Sequence, residues 1–304
     1  MTRFGVYLPN VGWDGLASPA AVADYAVAAE RLGLDSLWVE DRFLHNRLGI
    51  LEPLTALTFV AARTERIRLG TSVLLVNLRN PLLVAKMVST LDYLSQGRVI
   101  LGASLGGSPA EYAAAGVNMK TRVTRLVETI ATIRMLWASE AARREDTPFP
   151  LSGTPMEPRP RGSIPIWLGG RVDAALQRAG ALGDGWLASS STTPEDFAAG
   201  WSKVQDSARS AGRDPTTLEP AKFVYIHCDD SVEDAFDLLS GTLPRYYAAG
   251  YDVARYSIYG PVSRCVEQAQ RLLDSGVRTL IFSPVTADTR QLEVLAGSII
   301  PLLV

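Results

Sequence analysis

The feature that most constrains this chain is a complete strand–helix–strand unit between Ile67 and Gly107. Ile67 to Leu75 is short, apolar and partly β-branched, the composition of a strand buried on both faces of a parallel sheet. Asn80 then supplies a cap and Pro81 the first helical position. Val84, Met87/Val88, Leu91 and Leu94 recur at helical spacing until Gly97 ends the run. Arg98 to Gly102 reads as the next buried strand. Its exit, Ala103 to Ser108, is small and glycine-containing, so backbone amides there can approach a ligand closely.

The same alternation runs through the rest of the chain. Phe4–Leu8, Ser36–Val39, Pro165–Leu168, Gly185–Ala188, Leu218–His227 and Thr279–Phe282 read as further strands. Between them lie amphipathic helices such as the one after Ser18-Pro19, with Val22, Tyr25/Ala26, Ala29 and Leu32 on one face. Two stretches interrupt the pattern. Residues 139–163 are polar and proline-rich, an excursion over the surface or over the mouth of a site. Residues 242–260 carry five tyrosines and show no clear period. Asp288 to Gln291 reads as a capping box for a last helix.

Eight strands alternating with helices over 304 residues predict a single (β/α)8 TIM barrel spanning 1–304, with those two insertions. An open dinucleotide-binding sheet would need a glycine fingerprint after the first strand, and Leu8 to Gly12 is not one. In a barrel the strand exits share one mouth, so the site is expected there.

Composition removes several classes. The formal charge of −2 and the lack of a basic run argue against nucleic acid. Every apolar stretch is broken well before the roughly 20 residues needed to cross a bilayer, and the chain starts directly with a strand, so neither membrane nor targeting segment is expected. Cys228 and Cys265 have no metal-ligand spacing and read as reduced thiols of a cytoplasmic protein.

Pooling the exits collects Trp13, Asp41, Arg42, His45, Ser72, Asn77, Ser104, Gly106, Gly107, Glu111, Tyr112, Gly169, Gly170, Ser189 to Ser191 and His227. The pool holds no histidine pair for zinc, no serine elbow and no exit lysine, so no metal site is expected and hydrolysis lacks its parts. Taken singly, each residue has a plainer reading. Asp41 can cap a loop, Arg42 and His45 can be solvated, His227 can be a core histidine, and Gly169-Gly170 can be a tight turn. The tyrosines fit core or subunit interface better than pocket. Together, three exits of small residues and free backbone suit a mouth that docks a large, planar, phosphate-bearing cofactor.

That combination resembles the luciferase-like monooxygenase superfamily, and within it the coenzyme F420-dependent oxidoreductases. The resemblance runs nearly end to end, through FGVYLPN, AVADYAVAAERLGLDSLWVEDR, TERIRLGTSVLLVNLRNPLLVAK, TLDYLSQGRVILGAS, PIWLGG, GDGW and GPVSRCVEQAQRLLDSGV. It implies a barrel with the flavin-type ring at the C-terminal mouth. It further implies a cis peptide at Ser72-Val73 against that ring and Asp41 at the ring's polar edge. Gly106, Gly107, Gly169 and Gly170, with Ser104 beside them, match the backbone along the ribityl and phosphate portion.

Arg42 and Gly107 stand where sugar-phosphate dehydrogenases of the family carry histidine and glutamate, and Arg42-Phe43 departs from the histidines of FMN-dependent members. The expected activity is hydride transfer between C5 of the deazaflavin and a small organic substrate, with Arg42, His45, Tyr112 and His227 as candidates for proton donor or charge partner. FMN-dependent monooxygenation and a non-catalytic flavin-binding barrel are the alternatives. A homodimer is implied by resemblance.

Overall fold

Eight parallel strands close on themselves into a barrel. They are β1 (Arg3–Tyr7), β2 (Ser36–Val39), β3 (Arg68–Thr71), β4 (Val99–Ala103), β5 (Ile166–Gly169), β6 (Gly185–Ala188), β7 (Glu219–Cys228) and β8 (Thr279–Pro284). Each pairs with the next, and β8 returns to β1 with Gly5 opposite Ile281, so no edge is left open. The computed structural model describes residues 2–145, 147–247 and 250–303.

The barrel interior is filled by large side chains: Tyr7, Trp38, Ile100, Trp167, Leu187 and Ile281 form one buried cluster. Trp38 stacks on Trp167 with ring centroids 5.3 Å apart. An indole fits there because neighbouring strands carry glycine. A Cβ on Gly5 would lie 2.6 Å from the indole nitrogen of Trp38, and one on Gly70 would run into its six-membered ring. Outside the strands, a second and larger core joins them to the helices. Those helices include α1 (Pro19–Arg31), α2 (Pro53–Ala61), α3 (Pro81–Ser95), α4 (Pro109–Ala114), α5 (Arg122–Ala138), α6 (Asp173–Leu182), α7 (Pro194–Ser210) and α8 (Val232–Thr242). Asn80 caps α3 by accepting from Leu82 N–H, with Pro81 in the first turn as the sequence predicts.

Two local expectations are corrected. β3 stops at Thr71 and does not continue to Leu75, because the chain turns through a cis peptide at Ser72-Val73 into the short helix Val76–Leu78. The capping box at Asp288 does not form. Asp288 accepts only from Arg290 N–H, while Ser108 and Glu111 make a reciprocal box at α4. Of the two courses read for residues 139–163, the described ones take the surface, and none of them lines the mouth. They include a small hairpin, Arg143–Arg144 with Leu151–Ser152, that ties to Glu128 of α5, and Arg161 N–H donates to Asp92 of α3 at 2.9 Å.

The tyrosine-rich segment forms two single helical turns, Pro244–Tyr247 and Val253–Tyr256, followed by the strand Ile258–Gly260. That strand pairs with the far end of β7 at Ile226 to Cys228. β7 therefore runs past its neighbours and carries a wall above the mouth. A separate buried cluster, including Trp13, Tyr225, Leu239, Leu243 and Tyr259, holds that wall.

Candidate active site

A cavity of about 660 Å³ opens at the C-terminal mouth. Ser72, Val73, Ser104 and Gly106 line it from β3 and β4; Gly169, Gly170 and Arg171 line it from β5; Leu187, Ser189 and Ser191 line it from β6. Phe223, Tyr247, Gly250, Tyr251, Tyr256 and Arg42 complete it. The cis peptide Ser72-Val73 lies on its wall. From inside the barrel the Tyr7 hydroxyl reaches this peptide, 2.6 Å from Ser72 Oγ and 3.0 Å from the Ser72 carbonyl oxygen.

Val73, Ser104 and Gly169 meet closely. A Cβ on Gly169 would stand 3.2 Å from both Val73 Cγ1 and Ser104 Cβ, so the missing side chain keeps the slot open. Gly170 has φ +142°, a conformation that side chains rarely adopt. Just beyond it α6 begins without a side-chain cap, leaving its first amides available. Arg171 Nη1 donates to Ser191 Oγ at 3.3 Å, and Ser189 Oγ is 3.2 Å from Ser191 Oγ. A cation, hydroxyls and a helix N-terminus together suit an anionic group such as phosphate.

Lys222 fixes this polar end from below. It is 1 % exposed, and its ammonium donates to the carbonyls of Ser189, Ser190 and Phe223 at 2.8, 3.0 and 3.2 Å. Burial pulls its pKa down to about 7.

The β2 exit distributes three charged residues in three directions. Asp41 is buried; its Oδ2 accepts from Leu75 N–H at 2.8 Å, and Arg79 grips both carboxylate oxygens. Burial raises its pKa, against the pull of Arg79. Arg42 reaches the slot, and its Nη1 pairs with Glu111 at 3.2 Å. Glu111 is itself buried and also accepts from Phe43 N–H at 2.9 Å and Ser108 N–H at 2.7 Å. Burial works against its ionisation, but the amides of Ser108, Leu44 and Phe43 outweigh it and hold the carboxyl below its ordinary range.

Glu40 points into the tyrosine wall. Its Oε1 accepts from Tyr225 Oη at 3.1 Å, and Tyr225 Oη stands 3.0 Å from Tyr247 Oη. Burial raises the Glu40 carboxyl, opposed by hydrogen bonding from Tyr246 and Tyr225. Burial and the nearby Glu40 push the tyrosine hydroxyls upward in turn.

The structure thus brings Arg42, Ser72, Val73, Ser104, Gly106, Gly169 and Gly170 onto one cavity. Asp41 sits behind its wall on Arg79. Gly107 faces Leu78 and Tyr112, and the Tyr112 hydroxyl donates to Leu105 O at 2.7 Å, in a buried cluster that does not line the slot. His45 stacks on Tyr246 in an adjoining cavity of about 600 Å³ that shares Arg42 with the slot. His227 lies on the prolonged part of β7, with Nδ1 buried and unbonded, and does not line the slot either. The tyrosine cluster, expected as core or subunit interface, instead gives Tyr247, Tyr251 and Tyr256 to the slot, and sequence reasoning missed Tyr7, Glu40, Arg79 and Lys222. Only Tyr7 had a signal, its inward parity with Gly5 on β1. Among the described residues, no three His, Cys, Asp or Glu side chains gather as a metal site.

A parallel barrel with a glycine-walled slot and an anion-ready end at its mouth suits a large ligand that carries an anionic group. The chain belongs to the luciferase-like monooxygenase family, whose profile matches residues 2–279. It is 36 % identical over 191 residues to an F420-dependent glucose-6-phosphate dehydrogenase of Amycolatopsis mediterranei, a match covering 60 % of this chain and 57 % of that one. It is 31 % identical over 308 residues to a phthiodiolone/phenolphthiodiolone dimycocerosates ketoreductase of a Mycobacterium species, covering 90 % and 79 %. An F420-dependent secondary alcohol dehydrogenase, solved with an F420–acetone adduct, shares the fold with a TM-score of 0.88 at 20 % identity, covering 100 % of this chain and 99 % of its own.

Proposed function

We propose that this protein is a coenzyme F420-dependent oxidoreductase that passes a hydride between C5 of the deazaflavin and a small organic substrate. The observation that carries the reading is the slot, where side chains are missing at Gly106, Gly169 and Gly170 and a polar end is built from Arg171, Ser189 and Ser191. The naming of relatives as F420-dependent enzymes supports the choice of cofactor.

In this reading Ser72 and Val73 would hold the ring, Ser104, Gly106 and Gly169 would hold the ribityl chain, and Gly170, Arg171, Ser189 and Ser191 would hold the phosphate. Asp41 acts indirectly, by fixing Leu75 N–H and Arg79 behind the wall. When bound, the deazaflavin supplies or accepts the hydride. The protein orients the two reactants, excludes water with Phe223 and the tyrosine wall, and places the Arg42 charge beside them. The adjoining cavity with His45 offers room for the part of the substrate remote from the reacting carbon.

Two further assignments belong to this reading. The outward stripe of α3, Leu83, Met87 and Leu94, is exposed, as is Phe59 of α2, which supports a homodimer. The unpaired thiols of Cys228 and Cys265 support a reducing, cytoplasmic location, and among the described residues no helix is long and apolar enough to cross a membrane.

Fluorescence titration with F420, and separately with FMN, tests the cofactor. Tight F420 binding with much weaker FMN binding is the expected result. FMN binding without F420 would move the protein to the monooxygenases, and binding of neither would overturn the reading.

A further inference from the structure

A buried carboxyl is wired to the slot through two hydroxyls. Glu40 is 4 % exposed, and its main chain is latched by Asn10, which accepts from Glu40 N–H at 3.2 Å and donates to Glu40 O at 2.8 Å. From Oε1 the path runs 3.1 Å to Tyr225 Oη and 3.0 Å to Tyr247 Oη, and Tyr247 lines the slot. Either hydroxyl of the tyrosine pair can donate, whereas Tyr225 donates to the Glu40 carboxylate and would accept from it only when the carboxyl carries its proton on Oε1.

The other oxygen, Oε2, is buried and makes no aligned hydrogen bond. The groups that act on this carboxyl are Tyr225, Tyr246 and Arg42, with Tyr7 and Tyr247 also within its field. Arg42, the one cation among them, spends its Nη1 on Glu111 and its Nε on Tyr246. The neighbouring Asp41 is engaged by Arg79. A carboxyl so placed, without a cation in contact, favours its neutral, proton-bearing form.

We propose that Glu40 and Tyr225 form a proton relay whose terminal donor to substrate is Tyr247. The proposal rests on the hydride-transfer reading and deepens it. During reduction the acceptor carbon takes the hydride from C5 of reduced F420, and the π electrons of its C=O or C=N bond move to the heteroatom. That atom takes the Tyr247 proton. Tyr225 reprotonates Tyr247 and Glu40 reprotonates Tyr225, leaving a Glu40 carboxylate that solvent reloads between turnovers. A bound reduced deazaflavin would supply the hydride and release its N1 proton to solvent, which balances the proton that solvent returns to Glu40. In the reverse direction the relay starts from the Glu40 carboxylate, and the substrate hydroxyl proton travels to it. Tyr247 is the catalytic residue of this scheme, and Tyr225 and Glu40 act through it.

The test uses the full chain as wild type, Glu40→Gln, Glu40→Asp, Tyr225→Phe and Tyr247→Phe. The first readout is infrared difference spectroscopy at pH 7 without cofactor. Wild type minus Glu40→Gln should show a protonated carboxyl C=O band, and Tyr225→Phe should shift it. No such band, or one indifferent to Tyr225→Phe, overturns the relay, and this arm decides without any substrate. The second readout is the rate with reduced F420 and an acceptor drawn from a panel of small ketones, enones and imines. Glu40→Gln and Tyr247→Phe should each lower it about 100-fold, the usual scale of general acid catalysis, with Glu40→Asp recovering part and F420 affinity held. An unchanged rate and pH profile in Glu40→Gln also overturns the relay. Loss of F420 binding by the wild type would instead strike the cofactor assignment, which the titration detects separately.

Discussion

Asp41 and Arg79 meet behind the slot wall although 38 residues separate them, with Arg79 Nη2 3.1 Å from Asp41 Oδ1 and Nη1 on Oδ2. The carboxylate is fully buried and the guanidinium nearly so. Arg79→Met leaves that carboxylate with Leu75 N–H as its remaining hydrogen-bond donor, and removing one partner of such a pair costs about 3–5 kcal/mol. Urea unfolding should show a loss on that scale. F420 affinity should fall with it, because Leu75 backs Gly106 in the slot.

Two glycines of the slot should separate stability from binding. At Gly170 the positive φ and the Cβ of Ala175, 2.5 Å from where a new Cβ would sit, both oppose a side chain. Gly170→Ala should therefore cost about 1–3 kcal/mol in unfolding experiments. At Gly106 the obstacle is the tip of the Leu75 side chain. Gly106→Ala should fold with a smaller loss and show its effect mainly as weaker F420 binding in the fluorescence titration.

Lys222 makes a prediction with a sign. Its folded pKa lies near 7, whereas an unfolded lysine titrates near about 10.4, so between those values the unfolded chain holds a proton that the folded chain has released. Stability from this residue rises with pH across that window. Lys222→Met should lose the rise, seen as a flatter dependence of the urea midpoint from pH 7 to 10. It should also weaken F420 binding, because the carbonyls of Ser189 and Ser190 lose their common anchor.

Glu111 has the opposite behaviour on the acid side. Its folded pKa is depressed, so its stabilising contribution is present above the ordinary carboxyl range near about 4.3 and is lost as pH falls through the folded value. Glu111→Gln should be less stable than wild type at pH 7, and the difference should close as pH falls below about 4. Thermal melts at stepped pH measure this.

The exposed stripe on α3 makes the oligomer testable. Leu83→Glu with Met87→Glu places two charges on a face that the homodimer reading buries. Sedimentation or light scattering should report a dimer for wild type and a monomer for the double variant, with the circular dichroism spectrum unchanged.

The barrel was legible because its strands are buried on both faces and its helices carry their own punctuation. Gly185–Ala188 is bounded as read, and Asn80-Pro81 opens α3 as read. β3 was read too long because Leu74 and Leu75 are as apolar as a strand, although they belong to the turn that follows. The glycine and serine exits were visible because small residues at a strand end have few other uses, and the family resemblance marked Ser72-Val73.

Glu40 escaped because it leaves the pleat beside Asp41, where alternation no longer tells which neighbour points inward. The tyrosine wall escaped for another reason. It is made of single helical turns too short to set a period, and its hydroxyls acquire meaning only against Glu40. Tyr112 misled because α4 turns it inward, where its hydroxyl meets Leu105.

The length of β7 has a consequence for how such an enzyme could be re-engineered. The segment between Asp229 and Pro261 departs from the end of β7 and returns as the strand beside it, so it is spliced to the scaffold at two adjacent points. Among the described residues, Val11, Trp13, Leu48, Tyr225 and Val285 share its buried cluster, and its Ile258 joins the main core. The wall above the mouth is thus a cassette joined to the scaffold at two adjacent points. A donor loop there would change the Tyr247, Tyr251 and Tyr256 side of the slot, while the eight-stranded ring and the side lined by Ser72, Ser104 and Gly169 stay as they are.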